Sequence, residues 1–284
     1  MHMQRTLDPD EIQAWLKPRP HASHKGDFGN VGIIGGAPGM AGAALLAGRA
    51  ALLLGAGRVY VGLLDDRLAA DSAAPELMLT TPDRVLDLAS PGCLVIGPGL
   101  GLAAAARGWL EPALATPLPL LLDADALNQI AADPALADRV RQRGAATLLT
   151  PHPGEAGRLL GRSASTVQAD RAAALGELVQ RYDAGVLLKG AGSLIGFPGR
   201  PVWRNTTGNP GMAAPGMGDV LAGMIAALVA RGLEMAQAAV LGAHLHGAAG
   251  DRAVQDGLGP DGLAASEVAR TARTLLNELI YRVP

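Results

Sequence analysis

Short runs of Val, Ile and Leu alternate along this sequence with Ala- and Leu-rich stretches. VGII (31–34) precedes AGAALLAGRAALLLGAG, and VYVGLL (59–64), CLVIG (93–97), LPLLLDAD (118–125), TLLT (147–150) and VLLKG (186–190) follow in turn. Brief runs that are apolar throughout suit strands buried on both faces, and strands separated by helical stretches are joined in parallel. The expected class is α/β: a central, mainly parallel sheet flanked by helices on both faces. The pattern changes at SLIGF (193–197) and PVWRN (201–205), where the intervening FPGR predicts a hairpin turn. Within 219–231, Leu221, Met224, Ile225, Leu228 and Val229 recur at the spacing of one helical face, and Gly232 supplies the C-terminal stop. No internal repeat, linker or composition break interrupts 1–284, so one domain is expected, with an N-terminal helical arm through Arg19.

The 284 residues are 49% apolar, enough for a full core. Lys and Arg number 24 against 26 acids, a balance without the basic excess that grips a nucleic acid or an anionic membrane, so a small-molecule partner is expected. Cys93 stands alone, which rules out an intramolecular disulfide and fits a reducing, cytoplasmic setting. The opening MHMQRTLDPDEIQAWL lacks the apolar core of a secretory signal, and VLAGMIAALVA falls short of the ~20 residues that span a bilayer. With 38 glycines and 3% aromatics, close approaches to the backbone, by other backbone or by a ligand, are expected.

NPGMAAPGMGDVLAGMIAALVARG (209–232) sets one acid, Asp219, where small residues and Pro meet an apolar helix. Asp219 reads either as the helix N-cap or as a functional carboxylate. Gly208, Gly211, Gly216 and Gly218 strip side chains from the approach to a helix N-terminus, whose partial positive charge and unpaired N–H groups bind anions. An acid beside an anion site is costly unless it takes a proton from a group attacking phosphorus.

Gly216-Met217-Gly218-Asp219 resembles the anion-hole and catalytic-base signature of the ribokinase-like superfamily. More narrowly, HKGDFGNVGIIGG (24–36), AGAALLAGRAALLLGAGRVYVG (41–62), VIGPGLG (95–101), LLDADALN (121–128), LLTPHPGEAGRLLG (148–161), LLKGAG (187–192) and NTTGNPGM with GMGDVLAG (205–223) are similar to the ADP- or ATP-dependent NAD(P)H-hydrate dehydratases. The resemblance runs from about His24 to Asp251, and the order of its blocks makes it specific. It implies a ribokinase-like fold and a lyase of metabolite repair. Such an enzyme returns the S form of hydrated NADH or NADPH (NADHX, NADPHX) to NADH or NADPH, and converts ADP to AMP, or ATP to ADP, plus phosphate. It implies Asp219 as catalytic base and substrate contact, with Gly216, Met217 and Gly218 as the anion hole. Ala43, Gly101 and His152 would touch the hydrated dinucleotide, and Lys189, Gly190, Ala191, Gly192, Ser193 and Gly218 the adenine nucleotide. Mg2+ would accompany the nucleotide, and the subunits would form a homotetramer. The epimerase domain often fused ahead of this family finds no room before residue 24.

On their own, these residues keep ordinary readings. His152 lies between two prolines that aim its ring, at a strand end where open α/β sheets bind ligands. KGAGS (189–193) is either a tight turn with an exposed Lys or a phosphate-approaching loop, and no Walker-type loop exists elsewhere. Gly99-x-Gly101-x-x-Ala104, with Asp123 beyond it, loosely fits a dinucleotide fingerprint and keeps a Rossmann dehydrogenase as a rival. Asp123 and Asp125 cap the following helix or hold a metal-bound water. The GGAPGMAGAA turn serves phosphate or helix packing, and Lys25 reaches phosphate or solvent. His244 and His246, two apart, fall on different helix faces, so no metal site is expected. The sequon at Asn205 is set aside. One departure stands out: where the family shows a small hydroxyl residue and Gly, this chain has Ala214 and Pro215, lacking a hydroxyl and an N–H. That departure keeps a non-catalytic nucleotide-binding relative as an alternative, beside a vitamin or sugar kinase of the same superfamily.

Overall fold

The computed structural model describes residues 4–87 and 92–281. Its strands are β1 (Asn30–Gly35), β2 (Arg58–Leu63), β3 (Met78–Thr80), β4 (Cys93–Ile96), β5 (Leu120–Leu122), β6 (Thr147–Leu149), β7 (Gly185–Leu188), β8 (Leu194–Gly196) and β9 (Trp203–Arg204). They form one sheet in the order β3-β2-β1-β4-β5-β6-β7-β8-β9, parallel through β7 and antiparallel at β8 and β9. Each of the apolar runs becomes a strand, and the FPGR turn closes the β8–β9 hairpin. The short edge strand β3 carried no apolar run long enough to mark it.

Residue parity sorts the core into two layers. Val31, Ile33, Val95, Leu121, Leu148 and Leu187 pack to one side with α1 (Pro9–Trp15), α2 (Ala41–Leu53), α11 (Met217–Ala230), α12 (Met235–Gln255) and α13 (Ala265–Tyr281). Ile34, Leu94, Ile96, Leu120, Leu122 and Leu149 pack to the other. There they meet α3 (Pro82–Leu86), α4 (Ala104–Arg107), α5 (Leu110–Ala115), α6 (Asp125–Ala132), α7 (Pro134–Arg141), α8 (Pro153–Leu160), α9 (Ala164–Ala169) and α10 (Arg171–Tyr182). The arm contributes α1, capped by Asp8 and sealed by Ile12 and Leu16. Sequence periodicity marks one apolar face on α11, but the helix is buried nearly all round, because α2 and α12 cover it as well as the sheet. Gly223 makes this possible: a Cβ there would lie 2.0 Å from the Ala47 carbonyl oxygen on α2.

From β1 the sheet grows one way through β2 and β3, and the other way through β4. Ligands of open α/β sheets bind in the crevice at such a reversal, beyond the strand C-termini. The loops leaving β1 and β4 are stitched together there, Gly36 N–H to Pro98 O at 3.0 Å and Ala37 N–H to Gly99 O at 2.7 Å. At Gly35 a Cβ would meet Pro98 O at 2.1 Å, so only glycine permits the seam.

Candidate active site

The N-terminus of α11 opens on this C-terminal edge. Gly216, at φ 84, is its N-cap and offers no side chain, so the cap reading of Asp219 is corrected: Asp219 is the third residue of the helix. The first intrahelical bond of the backbone is Val220 N–H to Gly216 O, which leaves the N–H groups of Met217, Gly218 and Asp219 without helical acceptors. Three such donors on one helix end offer a cradle in which an anion can be held. Burial first, then the Asp123 charge, pushes the Asp219 carboxyl up to about 7; the Lys189 ammonium opposes this, and Asp125 and Glu155 add to it. A carboxyl poised there exchanges protons near neutrality, as a general base requires.

Lys189, at the end of β7, is not an exposed turn lysine. Its side chain is 18% exposed, with Nζ 2.8 Å from Asp123 Oδ1 and 3.8 Å from Glu155 Oε2. Burial pulls the ammonium down, but Asp123 and Glu155 more than offset this and hold it above its ordinary value. A Cβ on Gly218 would lie 3.1 Å from Nζ and 3.8 Å from Asp123 Oδ2, so the ion pair sits directly beside the cradle. Lys189 N–H also donates to Pro151 O at 2.8 Å, tying the 189–193 turn to the loop that bears His152. Arg171, at the start of α10, donates to the carbonyls of Ala191 (2.6 Å), Leu188 (3.0 Å), Gly192 (3.2 Å) and Lys189 (3.4 Å).

The acids of LLDADALN do not cap their helix, contrary to expectation; α6 has Ala124 as N-cap and no side-chain cap. Asp123 accepts from Thr150 Oγ1 at 2.7 Å and from Lys189. Asp125 Oδ2 accepts from Gly101 N–H at 2.8 Å, while Gln129 Nε2 donates to Gly101 O at 2.7 Å. The two peptide units that flank Gly101 are thereby both held. Between the acids, Ala124 sits at φ 48, ψ −117, a conformation side chains rarely adopt. Ala43 lies in the first turn of α2, beside the same loop: a Cβ on Gly99 would be 3.1 Å from the Ala43 Cβ.

His152 is the N-cap of α8. Its Nδ1 accepts from the N–H of Gly154 at 3.0 Å and of Glu155 at 3.4 Å, and Glu155 Oε2 accepts from His152 N–H at 2.7 Å. A neutral ring that accepts at Nδ1 carries its proton on Nε2. Burial, then Lys189 and Arg158, lower its basicity and favour that neutral form. The side chain remains about half exposed, so structural capping and ligand contact are compatible.

The structure thus brings Lys189, Gly218, Asp219 and the 190–193 turn together, and links them through Asp123 and Asp125 to Gly101 and Ala43. Lys25 is exposed and lies apart, in a 3-10 turn. His244 and His246 diverge as their spacing requires. His246 nevertheless belongs to the site: it is 8% exposed, its Nε2 has no partner, and burial, with Lys189, pushes it down to about 4, while its ring meets the Met217 backbone. Glu155 and Arg171 escaped sequence reasoning, and His246 entered it only as half of a rejected metal pair. Only Glu155 left a signal, three residues after an N-cap, where a capping box places an acid. The sequon asparagine is engaged, its Nδ2 donating to Thr207 O at 3.1 Å and Ala243 O at 3.2 Å.

Comparisons with known proteins accord with this geometry. The family model for NAD(P)H-hydrate dehydratase matches residues 31–272. An ADP-dependent (S)-NAD(P)H-hydrate dehydratase of Neisseria meningitidis is 43% identical over 93% of this chain and 90% of its own. A bifunctional NAD(P)H-hydrate repair enzyme of Coxiella burnetii is 41% identical over 96% of this chain, which spans 55% of that longer relative. Among solved structures, the ADP/ATP-dependent NAD(P)H-hydrate dehydratase of Bacillus subtilis, crystallised with ATP and Mg2+, superposes with TM-score 0.83 at 27% identity, covering 97% of this chain and 99% of its own. A ribokinase-like superfamily protein of Enterococcus faecalis gives 0.82 at 26% identity, covering 98% and 96%. The fold is ribokinase-like, and the chain belongs to the NAD(P)H-hydrate dehydratase family.

Proposed function

We propose that this chain is an ADP- or ATP-dependent lyase that restores NADH or NADPH from the S-form hydrates. One observation carries the reading: Asp219, pushed up to about 7, stands in the first turn of a helix whose leading N–H groups are unpaired, with the Lys189 ammonium beside Gly218. The hydroxyl of the hydrated ring leaves poorly as hydroxide. In this reading Asp219 takes its proton as the oxygen attacks the terminal phosphorus of ADP, and the N–H groups of Met217, Gly218 and Asp219 stabilise the developing charge. AMP departs, the ring nitrogen expels phosphate to leave an iminium, and loss of a proton to water from the neighbouring ring carbon restores the double bond of NADH or NADPH. Ala43, Gly101 and His152 are assigned to the hydrated dinucleotide, and Lys189 through Ser193, with Gly218, to the nucleotide.

Among the described residues, no three His, Cys, Asp or Glu side chains converge as a metal-ligating set. Mg2+ therefore belongs, in this reading, to the nucleotide phosphates, and no step is routed through it. The same reading includes one domain across the chain, a homotetramer and a cytoplasmic setting; light scattering and cell fractionation test the last two. No helix of the described residues is long and apolar enough to cross a membrane.

Ala214 and Pro215 favour a non-catalytic nucleotide binder as the second reading. They precede the Gly216 N-cap, however, so the helix keeps all three leading donors without them. The deciding experiment incubates the protein with Mg2+, hydrated NADH, and ADP or ATP in separate reactions, following the dihydronicotinamide absorbance. Recovery with one nucleotide is expected. No recovery with either overturns the dehydratase, and a stable phosphorylated small molecule would mark a kinase instead.

A further inference from the structure

Asp123 is 1% exposed and caps no helix. Burying a carboxylate costs several kcal/mol unless an ion pair and hydrogen bonds offset it, and here only the Thr150 hydroxyl and the Lys189 ammonium do so. The turn that carries it is strained at Ala124, so two successive acids point to different targets, Asp123 to Lys189 and Asp125 to Gly101. Strain held between two such acids marks a placement that the surrounding fold enforces. Lys189, for its part, has a long flexible stem and could extend to solvent, yet its ammonium lies 3.1 Å from where a Cβ at position 218 would sit.

We propose that Asp123 is a positioning residue for the phosphoryl-transfer step: it holds the Lys189 ammonium against Gly218, where the ammonium faces the Asp219 carboxylate and the transferring phosphoryl oxygens. The proposal rests on the reading of Asp219 as the base. Asp219 is faced by Asp123 at the end of β5, Asp125 on α6, Glu155 on α8 and Lys189 after β7, and His246 on α12 faces Lys189. Three carboxylates, Asp123, Glu155 and Asp219, share one ammonium, so its location governs how readily Asp219 gives up its proton.

The two roles open to Asp123 have opposite signs. As a neighbouring negative charge it hinders ionisation of Asp219; as the anchor of Lys189 it favours it. If charge alone matters, Asp123→Asn moves the acid limb of the kcat–pH profile down. If anchoring matters, the limb moves up, in the direction that Lys189→Met moves it.

The test measures kcat, KM for ADP and pH profiles for wild type, Asp123→Asn, Lys189→Met and the double variant, with thermal midpoints as the folding control. We expect kcat to fall about 100-fold in each single variant, with the acid limb raised in both. The Asp123→Asn change should cost less than about threefold further on the Lys189→Met background, because residues acting through one another are not additive. Additive losses, a lowered or unmoved acid limb, or an effect confined to KM would each overturn the proposal. Should Asp123→Asn fail to fold, Asp123→Glu keeps the charge and displaces it by one methylene. A kcat within twofold of wild type would then overturn the positioning role. Wild-type turnover is the control: its absence overturns the dehydratase reading and this proposal with it, whereas turnover with additive losses overturns the proposal alone.

Discussion

Asp219→Asn should make the protein more stable while abolishing its turnover. Burial and neighbouring acids raise this carboxyl from an ordinary 3.8 to about 7, so the folded state holds the proton more tightly than the unfolded chain does. The group's stabilising contribution is complete below about pH 4 and is lost as pH rises to about 7. At about 1.4 kcal/mol per pH unit the unscreened loss is a little over 4 kcal/mol, and solvent access at this partly exposed site cuts it to about 2 kcal/mol. An unfolding entropy of about 2.1 cal/mol/K per residue over 284 residues turns that into a Tm gain of about 3 °C for the non-titrating, equally sized Asn. Differential scanning fluorimetry from pH 4 to pH 9 checks this. The gap between variant and wild type should open between pH 4 and pH 7 and then stay constant, while NADH recovery falls at least 100-fold. A gap independent of pH, or an Asn variant less stable at pH 8, would refute the electrostatic account of Asp219.

His246, pushed down to about 4, carries the opposite sign: its contribution is present above about pH 6.5 and lost as pH falls toward 4, so His246→Gln should flatten the acid side of the same stability profile. Ala124→Gly should stabilise by about 1 kcal/mol in urea unfolding, since relief of backbone strain worth about 1–3 kcal/mol exceeds the entropy cost of glycine. A loss of stability there would show that the turn is relaxed. Gly223→Ala should cost about 3 kcal/mol by forcing α2 and α11 apart at the Ala47 carbonyl, read from chemical denaturation.

Strand runs and the start of α11 at the GMGD junction were readable because each is local: apolar continuity marks strands buried on both faces, and bare glycines before an apolar run mark a helix that begins without a side-chain cap. The electrostatics around them were not. Lys189 pairs with Asp123 across 66 positions, and nothing near either residue announces the partner. The twisted backbone at Ala124 leaves no trace in composition, because alanine suits almost any element. His246 looked like half of a rejected metal pair, and only the packing of α12 against the start of α11 brings it to the Met217 backbone. Spacing arguments correctly separated the two histidines, yet they could not say which one would face the chemistry.

If the 189–193 turn takes the adenine nucleotide as proposed, the grip of Arg171 on that turn has a consequence for how the nucleotide is met. Four carbonyls drawn toward one guanidinium orient their peptide planes; the Lys189 N–H is taken by Pro151 O, and the amide hydrogens of Gly190, Gly192 and Ser193 face away from Arg171. A glycine-rich segment that would otherwise sample many shapes thus becomes a one-sided lining of positive dipole ends, arranged before any phosphate arrives. Ordering that is already complete need not be subtracted from binding. Arg171→Leu would then weaken ADP in calorimetric titration while leaving kcat near normal: affinity would be tuned by a side chain working from behind the surface it shapes.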